Sequence, residues 1–580
     1  MEIRIRTVSG EDATKRRDSM KFSEMEYQRP DLRAIQQSYR EITAKFPACS
    51  GAAEQYDLIL RHEALLSRFQ SMGTIASIRN SIDTADPFYE EEMAFFDSNN
   101  PVFEESVQSF YKAVAASKFR KELEQKTGSL FFRNLEISLR SFSPAVIELK
   151  KKENALVTEY EKLLASAKIE FRGETLNLSE IQKYQVSQDR PARKEAWEKT
   201  AGFFLANSAR LDQIYSELVQ NRTAQAKLLG YDNYVRLGYD RLGRNCYGPD
   251  EVKKFRDQVA EDLVPVIAEI KKGQAERLGL PDLKFYDDNN LFPDGNPAPK
   301  GGRQTLVSQA QKMYREMSPL TGEFFDFMVE NELFDLDSKK GKAGGGYCTE
   351  IPDFGSPFIF SNFNGTAGDV DVLTHEAGHA FASYQARRLP LLELRTPTMD
   401  AAETHSMSME LFSRRWDPLF FGEDTEKFHL YQLEKAIGFI PYGCLVDEFQ
   451  TAMYEQPDLT PKERKQVWKE LEAKYRPWID FDHLPFFEDG GGYQRQHHIY
   501  SFPLYYIDYC LAQTAALEFW IDSEKDWDGA FSRYLAFVEA GGSRTYEELV
   551  KSAGLAYPME EGCVRALSDQ MLKWFRKHSK

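Results

Sequence analysis

The chain has 580 residues, 42% of them hydrophobic and 28% charged, with a formal net charge of −17. That length exceeds what one hydrophobic core fills, so two or more domains are expected, with ample apolar content to bury them. The acidic excess argues against nucleic acid or an anionic membrane as the main partner, since both recruit concentrated Lys and Arg.

The opening "MEIRIRTVSGEDATKRRDSM" lacks the apolar stretch of a secretory signal, and residues 1–19 read as a loosely ordered polar extension. No apolar run is long enough to span a membrane. The six cysteines are scattered without a CxxC pair, which fits free thiols and a cytoplasmic location.

From Asp31 to about Thr200 apolar residues recur at spacings of three and four, as in "AIQQSYREITAKF" and "YDLILRHEALLSRFQSM", which predicts helices. Pro101 and Pro144 read as first-turn prolines of new helices. We take 20–200 as an N-terminal helical domain and 201–580 as a second domain. Within the first, His62-Glu63 in "RHEALL" has Leu66 where a second histidine would complete a His-Glu-x-x-His, and reads as an ordinary surface pair.

A second helical block runs from Arg190 to about Leu278, with a helix opened by Gly248-Pro249-Asp250, and "YDDNNLFPDGNPAPKGGR" is a loop. The pattern then changes. "AGGGYCTEIPDFGSPFIFSNFNGTAGD" carries β-formers between Gly and Pro breaks and predicts a small antiparallel sheet leading into "DVDVLTHEAGHAF". There is no internal repeat.

In "HEAGH" two histidines four apart share one helix face, so His375 and His379 can offer imidazoles to one Zn²⁺. Glu376 is rotated by about 100° from His375. It lies near the metal without being forced to bind it, the placement of a general base for a metal-activated water. Chance alone produces such a motif in roughly one or two chains of this length per hundred. The helix also carries an apolar packing side (Val372, Leu373, Ala377, Ala380, Phe381), and two partnerless histidines facing an interior would be costly.

A catalytic zinc needs a third protein ligand and an open position. Downstream, "TMDAAETHSMSMELF" predicts a helix after Pro397, with Glu403 placed to return to the metal; His405, Glu393 and Glu410 compete on spacing alone. A last unusual stretch, "DGGGYQRQHHIYSFPLYYIDYCLAQ", packs Tyr500, Tyr505, Tyr506 and Tyr509 behind two histidines and a glycine run that reads as a flexible loop.

"HEAGH" followed by "AETHSMSME" resembles the thimet oligopeptidase and oligoendopeptidase F family of zinc metallopeptidases, and "HHIYSFPLYYIDY" is similar to the C-terminal motif of its Pz-peptidase-like branch. The likeness extends to "GGGYCTEIPDFGSPFIFSNFNGT" and covers roughly residues 200–580. It implies that Glu403 is the third ligand of one zinc ion and that Glu410 supports the site. It also implies that His498 contacts substrate (His497 stands where the branch has Gly), and that Tyr506 and Tyr509 stabilise the transition state. The implied fold is mainly α: two helical halves flanking a deep substrate channel, with a small antiparallel β-sheet beside the HExxH helix. The implied activity is a zinc-dependent oligoendopeptidase cutting internal bonds of short, unstructured peptides, with Glu376 as the base.

Two other readings compete. A metallocarboxypeptidase would need a cationic clamp, for which Arg495 is the one arginine near the tyrosine motif. A zinc-stabilised peptide-binding protein would not turn over, and Glu376→Gln would leave it unchanged.

Overall fold

The three- and four-residue spacings resolve into long helices in a computed structural model that describes residues 20–579; the polar lead 1–19 lies outside them. By packing, one unit comprises the chain up to Phe131 with Pro299–Pro397 and Val538–Ser543. The other comprises Phe132–Ala298, Thr398–Phe537 and the chain from Arg544 onward.

In the first unit, Asp31 caps helix Leu32–Lys45 by accepting from the Arg33 and Ala34 N–H groups. Helices Ala52–Ile82 and Pro87–Ala115 follow. Pro101 does not start a helix; it lies inside Pro87–Ala115. Its missing N–H is outweighed because Phe96, Phe103, Val107 and Phe110 on the same helix are buried, each worth about 1.5–3 kcal/mol.

The expected antiparallel pair is present, Tyr347–Ile351 against Ser356–Phe363. An unexpected third strand, Phe334–Asp337, pairs parallel on the other side of Ser356–Phe363. It is only four residues long, too short for alternation to stand out. The central strand is buried along most of its length, and helix Gly368–Ala386, which carries HEAGH, packs on it.

The second unit is built on helices Arg190–Leu228, Thr425–Glu455, Met399–Phe412 and Ile507–Ser523. As expected, Pro249 opens a helix behind Gly248. The chain to Thr200 is not wholly helical: Ile169–Phe171 and Glu174–Leu176 form a hairpin. Its turn, Arg172-Gly173, has positive φ at both positions (48° and 91°), the conformation of a two-residue hairpin turn. Ile169, Phe171 and Leu176 bury against Ile181 and Ala196.

All six cysteines are free thiols. No helix among the described residues is long and apolar enough to cross a membrane.

Candidate functional site

Helix Gly368–Ala386 is fixed at its entry by Asp369, whose carboxylate accepts from the N–H groups of Asn364 (2.9 Å) and Gly365 (2.8 Å). Leu373, Ala377, Ala380 and Phe381 are fully buried, as the apolar stripe predicts. The other side carries His375 and His379, their rings 5.0 Å apart and nearly perpendicular. Glu376 is 7% exposed. Burial, and then the charge of Glu376, push the Cys348 thiol well above its usual range, so the carboxylate lies close to strand Tyr347–Ile351.

Helix Met399–Phe412 packs along Ile507–Ser523. Its start is held by Asp400, which accepts from the Tyr247 hydroxyl at 2.7 Å; that hydroxyl is also 3.2 Å from Asp508. Arg244 donates to Asp508 at 2.7 Å. Burial pushes the Asp508 carboxyl up to about 7, with Arg244 pulling it the other way.

One turn on, Glu403 is 3% exposed. Its Oε2 accepts from Ser406 Oγ at 3.0 Å and its Oε1 from the Tyr505 hydroxyl. His405, a competing ligand by spacing, packs its ring 5.4 Å from Phe537, and its carbonyl accepts from Tyr534.

The glycine run before the histidines is a packed turn, not the flexible loop expected. A Cβ on Gly490 would lie 2.1 Å from the Lys465 carbonyl oxygen, and one on Gly491 2.6 Å from the Phe486 ring. Leu504 then adopts a left-handed backbone (φ 66°), which costs about 1–2 kcal/mol for a non-glycine residue. Gln450 holds its N–H (2.9 Å) and Arg244 its carbonyl (2.6 Å), which aims Tyr505 at Glu403.

The two histidines diverge. His497 lies 3.2 Å from Glu161 and 2.9 Å from Ser501 Oγ. The His498 ring sits 4.9 Å from Tyr506, 5.8 Å from Tyr509 and 5.9 Å from Tyr505. The Tyr442 hydroxyl donates to Gln496 Oε1 (2.7 Å), which turns the amide N–H₂ toward His498 Nδ1 (3.0 Å). Nδ1 is then the acceptor and Nε2 carries the proton. Burial pushes the His498 pKa down to about 4. Arg495 lies over the rings of Trp197 and Phe487.

His375, His379 and Glu403 each offer one ligand atom, and these atoms all lie within 4.8 Å of one another. Two imidazole nitrogens and one carboxylate oxygen fit the donor set of a zinc that keeps a coordination position open. Glu393 belongs to a different group, with His62 and Glu63. His62 (0% exposed) and Glu63 (5%) are thus core residues rather than the surface pair expected. Helix Ala52–Ile82 turns them toward Tyr39 and Phe110, which the local sequence does not reveal. Tyr505, the hydroxyl on Glu403, was not singled out from its neighbours by any sequence signal.

The pattern of "Peptidase family M3" matches residues 183–292 and 312–569, and that of the "Peptidase M3 N-terminal domain" matches 22–142. The chain is similar to the oligopeptidase PepF of Bacillus subtilis (strain 168), 23% identical over 88% of this chain and 79% of that protein. A structure titled "PZ PEPTIDASE A with inhibitor 2" is 45% identical and superposes with a TM-score of 0.95 over 97% of this chain and 100% of that one. The oligoendopeptidase-F of Enterococcus faecium, 15% identical with a TM-score of 0.63 over 94% of this chain and 97% of that one, is alike in fold alone.

Proposed function

The chain belongs to peptidase family M3 and is a peptidase of the oligoendopeptidase F kind, and from that premise we propose that it is a zinc-dependent endopeptidase of short, unstructured peptides. The observation that carries the zinc reading is the grouping of His375, His379 and Glu403. In this reading they hold one ion. Bound there, zinc would supply Lewis acidity, polarising the scissile carbonyl and acidifying a water toward neutral pH.

The protein's own groups do the rest. Glu376, next to a ligand yet facing strand Tyr347–Ile351, takes a proton from the attacking water on a carboxylate oxygen and returns it to the leaving amine. Negative charge develops on the former carbonyl oxygen and needs preorganised donors. His498 Nε2–H and the hydroxyls of Tyr509 and Tyr506 fill that role. The hydrogen bond from Gln496 keeps the His498 proton on Nε2. An imidazole with a pKa near 4 stays neutral at physiological pH and donates without carrying charge. Strand Tyr347–Ile351 lies at the edge of its sheet, which suits strand addition by an extended peptide, a mode that recognises main chain more than side chains.

The test is digestion of a peptide library, read by mass spectrometry, with zinc-loaded and chelator-treated protein. The reading expects metal-dependent internal cleavages confined to short peptides. Cleavage only of terminal residues, or cleavage that survives chelation, contradicts it.

A further inference from the structure

In the group His62, Glu63 and Glu393, the first two buried and the third partly so, each side chain has one polar atom held by a neighbour and one left over. His62 Nδ1 lies 3.0 Å from the Tyr39 hydroxyl. Glu63 Oε2 accepts from the Leu392 N–H at 2.7 Å. Glu393 Oε1 accepts from the Tyr111 hydroxyl at 2.5 Å. The remaining atoms, His62 Nε2, Glu63 Oε1 and Glu393 Oε2, are buried and make no hydrogen bond within the protein.

The spacing of these donors is informative. His62 Nε2 is 3.8 Å from Glu63 Oε1 and 3.9 Å from Glu393 Oε1, the oxygen that also accepts from Tyr111, too far for a hydrogen bond. Two metal–ligand bonds of about 2.1 Å meeting at an obtuse angle span that separation. One atom from each residue lies within 4.8 Å of the others, as in the group of His375, His379 and Glu403.

Charge points the same way. Burial, and then the charge of Glu393, push the Glu63 carboxyl well above its usual range, so two ionised carboxylates are costly here, against the aromatic wall of Phe110 stacked 5.1 Å from the His62 ring. Arg395, the cation whose field reaches Glu63, is engaged with Glu350 (3.4 Å) and the Leu389 carbonyl (2.7 Å). A divalent cation cancels the charge, and Tyr39, Leu392 and Tyr111 are the outer partners that orient such ligands.

We infer that His62, Glu63 and Glu393 form a second, structural site for one divalent transition-metal ion of the class that accepts mixed nitrogen and oxygen donors, zinc or manganese. The ion ties helix Ala52–Ile82 to the turn Leu392–Arg395, which follows the HEAGH helix. That turn is already pinned by Gly541 and Gly542, where a Cβ would lie 2.8 Å from the Leu394 carbonyl oxygen and 2.6 Å from that of Glu393. The inference is independent of the catalytic reading.

Metal-stripped full-length protein is reloaded with Zn²⁺ alone or Mn²⁺ alone, desalted, and its ion-to-protein ratio measured by elemental analysis, with circular dichroism as the check on folding. Expected are two ions in the wild type and one each in His379→Ala and Glu393→Gln, the ion left in His379→Ala raising Tm above that of the stripped variant. A single wild-type ion that disappears in His379→Ala overturns the inference and leaves a shared proton or a water at the cluster. Two ions retained by Glu393→Gln also overturn it. One wild-type ion kept by His379→Ala and lost by Glu393→Gln upholds this site and removes the catalytic one. If Glu393→Gln does not fold, an anomalous difference map of the zinc-loaded wild type decides: a peak against His62 Nε2 supports the site, and its absence overturns it.

Discussion

The Tyr505 hydroxyl donates to Glu403 Oε1 while Ser406 Oγ, three residues along the same helix as Glu403, donates to Oε2. A buried carboxylate held at both oxygens has its orientation set before any ligand arrives. Removing an outer partner of this kind typically weakens metal binding about 10–100-fold. Tyr505→Phe is therefore expected to lower zinc affinity by that factor in a competition titration against a chelator of known strength. Unchanged affinity would show that Tyr505 does not orient the ligand.

Gln496 supports a second prediction. Its amide, oriented by Tyr442, makes His498 Nδ1 an acceptor and leaves the proton on Nε2. A carboxylate in its place accepts from Nδ1–H and strips Nε2 of its proton. Gln496→Glu should lower kcat by about a hundredfold, the cost of losing one oxyanion donor, with zinc content unchanged. A kcat equal to the wild type would remove His498 Nε2–H from the mechanism.

How far the site could be read from residues alone differs position by position. His375, Glu376 and His379 are legible because one helix period brings them together. Glu403 is not: four groups compete on spacing, and only the resemblance to a family selects it. Tyr505, Tyr506 and Tyr509 are equivalent by type, and helix periodicity cannot rank them because the helix begins only at Ile507. The choice of Tyr505 rests on the left-handed Leu504, held by Arg244 and Gln450, whose partners lie far away in sequence. The same limit applies to His62, whose setting depends on Glu393. Glycine runs mislead for a related reason: Gly490 and Gly491 exist to clear Lys465 and Phe486, and local sequence cannot distinguish close packing from flexibility.

His498 has a pH signature. Burial holds its pKa near 4, below the ordinary 6.5 or so. The neutral ring is favoured in the folded state, so its contribution to stability is fully present above about pH 6.5 and declines as pH falls toward 4. In protein with ¹³C-labelled histidine, the His498 ring signal, assigned by its loss in His498→Asn, should stay flat from pH 8 to about 5.5. A midpoint near 6.5 would contradict the buried, neutral setting argued for it.

The central claim is that His375, His379 and Glu403 together bind one zinc ion. Diffraction data collected on either side of the zinc absorption edge, from crystals of the zinc-loaded protein, test it most directly. The account predicts an anomalous peak enclosed by these three side chains and present only above the edge. A Glu403 carboxylate turned away from the His375–His379 pair, or the absence of a peak among the three, would contradict it.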